Sequence, residues 1–141
     1  REVAAYPDDA ALWQPIPGIS NTGGTLALHL VGNLQHFVGT VLGGSGYVRN
    51  RDAEFARRDA TRAELAAEIN RTIATVDSTI ATLDDAQLAM PYPVEVGGHR
   101  FTTGRFLTHL ASHLAYHLGQ VDYHRRAVAP TSGTVGTMAL S

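Results

Sequence analysis

Three long stretches of the chain repeat apolar side chains at intervals of three and four residues, the spacing of one face of an α-helix. The pattern predicts helices from about Thr25 to Leu42, after Thr61, and from Thr102 or Thr103 to about Arg126. The apolar positions are Leu26, Leu30, Leu34, Phe37 and Val41; then Leu65, Ile69, Ile73, Val76, Ile80 and Leu83; then Phe106, Leu107, Leu110, Leu114, Leu118 and Val121. Together they predict an all-α fold with the helices packed along these stripes.

Turn-forming residues and helix caps separate these helices. Thr61 and Glu64 have the spacing of a capping box, which favours a helix start, and the glycine-rich segment 43–46 ends the first helix. The charged segment 47–58 predicts a connection with short helical pieces. A Gly-Gly pair within residues 94–101 predicts a small β-hairpin. We therefore expect one domain over residues 1–126, followed by a flexible tail of small and polar residues over 127–141.

Composition narrows the function classes. The 141 residues are 44% hydrophobic, enough for one core, and the net charge of −2 with scattered basic residues favours no nucleic-acid partner. The sequence contains no cysteine, which excludes disulfides and thiolate metal ligands, so any thiol chemistry needs an external thiol. No apolar run approaches the roughly 18 residues of a membrane span. The chain starts at Arg1 without a visible signal peptide, and a cytoplasmic location is expected.

The third predicted helix carries histidines at four-residue intervals, His109, His113 and His117. Residues four apart lie on one helix face, so two neutral imidazoles can reach a single divalent metal ion. His109 and His117 are roughly 12 Å apart along the axis, which is too far for one ion. The ion would therefore take either His109 with His113 or His113 with His117. His29, on the first helix, would complete a three-nitrogen site with open positions, as in catalytic metal centres.

The other polar candidates have weaker patterns. His36 is too far from His29 to share an ion and is expected at the surface or beside the site, while His99 and His124 are expected to be solvated. We expect one charged run to form a solvated face, with an anion-binding rim above the metal as the alternative. The run contains Arg49, Arg51, Glu54, Arg57 and Arg58. Candidate substrate contacts are Gln120, Tyr116, Asn33 and Arg51, although Tyr116 suits packing better than catalysis.

The segment His113-Leu-Ala-Tyr-His117-Leu-Gly-Gln120, with Leu-Ala-Leu-His29-Leu upstream after a Trp-x-Pro-x-Pro-Gly loop, resembles the DinB-like superfamily. The resemblance covers roughly residues 10–126. It implies an antiparallel four-helix bundle with a metal bound by His29, His113 and His117, and with His109 outside this triad. Members begin with a long first helix, of which residues 1–6 supply only the last turns. Either a longer chain or a second subunit is expected to complete the bundle, and we expect a homodimer.

The resemblance also implies a metal-dependent enzyme acting on a small-molecule substrate. Some relatives transfer low-molecular-weight thiols to electrophiles, and this is the most concrete expectation, with zinc or nickel as the metal and the thiol as a second cofactor. Histidine nitrogen also suits iron or copper. Three alternatives stay open: a metal-activated hydrolase, a stress-associated bundle that binds metal or a small ligand without turnover, and a metal-free structural dimer.

Overall fold

The computed structural model describes residues 1–130 and Val135 of the 141-residue chain. It contains a 3-10 turn at Val3–Ala5 and six α-helices: α1 (Asp9–Leu12), α2 (Gly23–Leu34), α3 (Arg51–Ala56), α4 (Arg62–Ile80), α5 (Asp85–Ala89) and α6 (Thr103–Val128). Helix α2 continues directly into a π-helix over Gln35–Thr40. No strand is present among the described residues, which confirms the all-α class.

Helices α4 and α6 begin at the predicted caps. The capping box at the start of α4 is complete, because the Thr61 backbone N–H donates to the Glu64 carboxylate at 2.8 Å and the Glu64 N–H donates to the Thr61 hydroxyl at 3.2 Å. The Thr102 hydroxyl accepts from the third residue of α6. That helix extends two residues beyond the predicted end at Arg126. Most of the predicted tail, residues 131–134 and 136–141, lies outside the described residues.

Helices α2 and α4 run in the same direction. The Gln35 amide donates to the Thr72 hydroxyl at 3.2 Å, and further along both helices Gly43 packs against Thr79. The chain between them, residues 44–60, includes α3 and returns the chain to the starting end before α4 begins. A tight turn would have made the pair antiparallel. The predicted antiparallel arrangement is therefore wrong for this pair.

Helix α6 runs antiparallel to α2. The start of α2 at Gly23 faces His124, near the end of α6, whereas Phe37 in the π-helix stacks edge-on against Phe106 at a centroid distance of 5.2 Å. The described residues thus contain three long helical segments, rather than the four of the predicted bundle.

The predicted β-hairpin at residues 94–101 is reduced to one residue pair. Val96 and His99 exchange two backbone hydrogen bonds of 3.0 Å around Gly97-Gly98, and both glycines have positive φ. No ladder extends from this pair, so the hairpin prediction is wrong for the strands although the turn is present. Pro93 contributes to this result, because proline has no backbone N–H to donate to an extended ladder.

Two apolar clusters form the core, one at each end of the α2–α6 interface. The first contains Val3, Tyr6, Ala11, Leu12, Leu26, Ala27, Leu28, Ala60, Leu65 and Val121, and the second contains Val38, Tyr92, Phe106 and Leu110. On α2 and α6, the residues between the clusters include His29, Asn33, His113 and His117. The candidate site thus lies between the two apolar clusters and belongs to neither.

The N-terminal segment is fixed to the end of α6 by buried polar contacts. The Tyr6 hydroxyl lies 2.8 Å from His124 Nδ1, and the fully buried Arg125 donates to Glu2 at 2.7 Å. A groove of about 290 Å³ lined mainly by apolar side chains of α2, α4 and α6 lies nearby. None of the helices described in residues 1–130 has both the length and the hydrophobicity needed to cross a membrane.

Candidate metal centre

The structure brings His29 of α2 together with His113 and His117 of α6. His113 Nε2 lies 3.3 Å from His29 Nε2 and 3.1 Å from His117 Nε2. The ligand atoms of all three residues lie within 4.8 Å of one another. His113 and His117 are one turn apart on α6, and α2 packs across that turn. The three imidazole Nε2 atoms therefore lie close together.

These distances fit a single metal ion. Zinc–nitrogen bonds of 2.0–2.1 Å at tetrahedral angles place two ligand nitrogens about 3.3 Å apart, close to the observed 3.1 and 3.3 Å. No other His, Asp or Glu joins the group within the described part of the chain. Three neutral nitrogen donors without a fourth protein ligand match the donor set of catalytic rather than structural zinc sites.

A buried acidic residue of α3 orients His29. The Glu54 Oε2 atom lies 3.0 Å from His29 Nδ1, and the Arg49 guanidinium donates to both Glu54 oxygens at 2.7 and 2.9 Å. Glu54 is 6% exposed, and Asn50 caps the helix that carries it. Gly32 of α2 makes room for the carboxylate, since a Cβ there would overlap Glu54 Oε1. A carboxylate at Nδ1 fixes the proton there and leaves Nε2 free to bind a metal.

His117 has its own acceptor on the same helix. The Gln120 Oε1 atom, one turn later, lies 2.6 Å from His117 Nδ1. An N–H donor at Nδ1 again directs the Nε2 lone pair toward the other histidines. With His29 and His117 both held in this form, their unprotonated nitrogens converge beside His113 Nε2. A cation at this point would satisfy all three lone pairs.

Burial keeps two of these histidines neutral. Desolvation lowers the pKa of His29, an effect that exceeds the opposing influence of Glu54. Burial, followed by the neighbouring His117 and His29, lowers the pKa of His113 to about 4. Metal binding requires unprotonated imidazole, so at neutral pH neither His29 nor His113 has to lose a proton before it binds an ion.

The predicted substrate contacts lie at different positions around this group. Tyr116 is 66% exposed, with its ring 5.2 Å from that of His117, whereas Asn33 of α2 is 7% exposed. Arg51 lies at the surface of α3, its guanidinium carbon 5.0 Å from the centre of the Phe55 ring. Gln120 contacts His117, as described above. The substrate-binding roles of these four residues remain predictions.

The remaining histidines do not join the group. His109 is exposed, and its ring centroid is 6.3 Å from that of His113. His36 is half-buried beside Phe37, and His99 is exposed as predicted. The prediction that His124 is solvated is wrong, because His124 is 4% exposed and bonded to Tyr6 and to the Gln14 carbonyl.

Sequence reasoning missed Arg49 and Glu54 as partners of the centre. The charged run containing them was expected to form a solvated face, but both side chains are largely buried against His29. Phe55 was also missed, and its ring lies 5.1 Å from that of His29. One signal was available: Gly32 interrupts an apolar helix at the position where the Glu54 carboxylate packs.

The chain belongs to the DinB superfamily. The family model matches residues 1–121, which include the whole three-histidine group. Comparison with curated proteins and with solved structures gave no match.

Proposed function

We propose that the protein is a metal-dependent enzyme that transfers a low-molecular-weight thiol to an electrophilic small-molecule substrate. Its metal, zinc or nickel, would be held by His29, His113 and His117. The observation that carries the proposal is the convergence of three Nε2 atoms, two of them held by Nδ1 acceptors, in a member of the DinB superfamily. A bound divalent ion lowers the pKa of a coordinated thiol or water and so supplies a nucleophile at neutral pH.

A cleft that shares Gln120 with the histidine group supports a small organic substrate. Gln120, the partner of His117, also lines a cleft of about 440 Å³ between the loop at residues 16–21 and the last turns of α6. Ile16, Ile19 and Leu26 supply apolar surface there, and Tyr123 borders the cleft. The volume is within the usual range for small-molecule sites. We assign the organic part of the electrophile to this cleft.

The proposed transfer needs only the thiol and the electrophile. The thiol loses its proton, and its sulfur forms a bond to the electrophilic carbon. The leaving group departs with the electrons of the bond that breaks; in an epoxide the ring oxygen keeps those electrons, stays attached and takes up a proton from solvent. The nearest carboxylate, Glu54, is engaged by Arg49 and His29, so the released proton goes to solvent. The protein binds and orients the two reactants, and the sequence has no cysteine that would compete as the nucleophile.

The test combines thiol binding with turnover. Cobalt-substituted protein would be titrated with a panel of small thiols, and a thiolate-to-cobalt absorption band in the near ultraviolet would report coordination of sulfur. Metal-loaded protein would then be assayed for thiol consumption with an activated aryl halide and with an epoxide. We expect His113→Ala to abolish both signals. His109→Ala is the matched control, because it removes a histidine from the same helix face outside the group.

Two results would contradict the proposal. Hydrolysis of an activated ester without any thiol, combined with no thiol transfer, would indicate a metal-activated hydrolase. Metal binding with neither sulfur coordination nor turnover would indicate a binding protein.

A further inference from the structure

One histidine of the candidate metal centre differs from the other two. His29 and His117 have acceptors for Nδ1, namely Glu54 and Gln120, at 3.0 and 2.6 Å. The Nδ1 atom of His113 is buried and has no hydrogen-bond partner. His113 is also the central ligand, since its Nε2 contacts the Nε2 atoms of both neighbours. Its orientation therefore matters most for the geometry of the group.

In the described part of the chain, one other buried side-chain nitrogen or oxygen lacks a partner, and it is Asn33 Oδ1. Asn33 is 7% exposed and follows His29 by one helical turn, so the two residues lie on the same face of α2. Buried polar atoms are almost always hydrogen-bonded in folded proteins. An unpaired amide oxygen at this position therefore points to a function.

The helix arrangement indicates which surface Asn33 faces. Along α2 and its π-helical continuation, His29 contacts His113 and Phe37 contacts Phe106. Asn33 lies midway between His29 and Phe37 in sequence, and from this position we infer that it faces the part of α6 between Phe106 and His113. With a metal ion on Nε2, neutral His113 carries its proton on Nδ1, so its N–H and the Asn33 amide oxygen are a complementary donor and acceptor.

We propose that Asn33 is a positioning residue for His113. The two atoms form no direct hydrogen bond, so one buried water molecule bridges them: it accepts from the Nδ1–H of His113 and donates to Asn33 Oδ1. Each of the three histidines then has its own acceptor, which fixes the proton on Nδ1 and directs Nε2 toward the ion. This inference rests on the metal centre of the proposed function but not on the thiol chemistry.

Zinc affinity tests the inference without an activity assay. Chelator competition would compare the wild-type protein with Asn33→Leu, which keeps the side-chain size, and with Asn33→Asp, which keeps an acceptor. Loss of such a partner typically weakens metal binding about 10- to 100-fold, so we expect this for Asn33→Leu and near-normal binding for Asn33→Asp. Asn70→Leu is the control, since Asn70 is an exposed asparagine of α4.

Nitrogen-15 NMR of the His113 ring in zinc-loaded protein gives a second readout, available even if Asn33→Leu does not fold. We expect a slowly exchanging Nδ1–H in the wild-type protein and in Asn33→Asp, and fast exchange in Asn33→Leu. A wild-type Nδ1–H that exchanges as fast as that of exposed His99 would overturn the inference. So would unchanged zinc affinity in Asn33→Leu with a raised KM, which would make Asn33 a substrate contact.

The two proposals fail separately. Zinc binding that depends on Asn33, without any thiol transfer, would remove the proposed function and leave this inference standing. Thiol transfer with zinc affinity independent of Asn33 would remove this inference alone. A wild-type protein that binds no metal would overturn both.

Discussion

Replacing Glu54 with leucine should weaken both the metal centre and the fold, by different mechanisms. The carboxylate holds His29 Nδ1 at 3.0 Å and pairs with the Arg49 guanidinium at 2.7 Å. Loss of the first contact removes the group that orients a metal ligand, which typically costs 10- to 100-fold in affinity, or about 1.4 to 2.7 kcal/mol. Loss of the second leaves Arg49 unpaired. Breaking a buried ion pair costs 3–5 kcal/mol, and because the Arg49 side chain is 13% exposed we expect about 3 kcal/mol.

Two measurements separate these effects. Urea unfolding of metal-free protein gives the stability of the wild-type protein, Glu54→Leu and the double variant Arg49→Met/Glu54→Leu, and chelator competition gives the zinc affinity of the same three proteins. We expect the double variant to recover most of the stability, since no unpaired charge remains, but not the zinc affinity. Glu54→Gln, which keeps an oxygen beside His29, should retain more zinc affinity than Glu54→Leu.

Zinc affinity in Glu54→Leu within twofold of the wild-type value would refute the role of Glu54 as the partner of His29. Recovery of zinc affinity in the double variant would show instead that the unpaired Arg49 caused the loss, through its charge beside His29 Nδ1 at 3.3 Å.

Three other predictions concern the surroundings of the centre. Gly32→Ala would place a methyl group on the Glu54 carboxylate, and we expect weaker zinc binding together with a lower melting temperature, read by chelator competition and circular dichroism. Burial lowers the pKa of His124, so as the pH falls the unfolded state protonates this histidine before the folded state does. The stability that neutral His124 contributes is therefore complete above about pH 6.5 and is lost as the pH falls toward the folded-state pKa. His124→Gln should flatten the fall of the urea-unfolding free energy over this pH range. The homodimer expected from the sequence remains a prediction, and a monomer in sedimentation at about 10–100 µM, a concentration scale for moderate affinity, would contradict it.

The helices and the histidine group were predictable because both depend on local spacing. The stripes of α2, α4 and α6 follow the helical period, and the caps at Thr61 and Thr102 are short-range contacts. Spacing alone left two histidine pairs open. The resemblance to the DinB-like superfamily selected the pair that α2 contacts in the structure.

The parts that were not predicted depend on contacts between segments distant in sequence. Glu54 reaches His29 only because α3 packs on α2 at Gly32, and no periodicity in the charged segment marks that contact. His124 is buried because the N-terminal segment folds over it and presents Tyr6. The direction of α4 depends on the path of the preceding connection rather than on any residue within the helix.

Metal titration of four single variants tests the central claim most directly. Each of His29→Ala, His113→Ala and His117→Ala removes one of three protein ligands, and each should greatly weaken zinc binding while the two apolar clusters preserve the helical spectrum. His109→Ala should keep most of the affinity, because His109 lies outside the group. Loss of binding in His109→Ala, with binding retained in His117→Ala, would contradict the assigned centre and show that the ion is bound one turn earlier on α6.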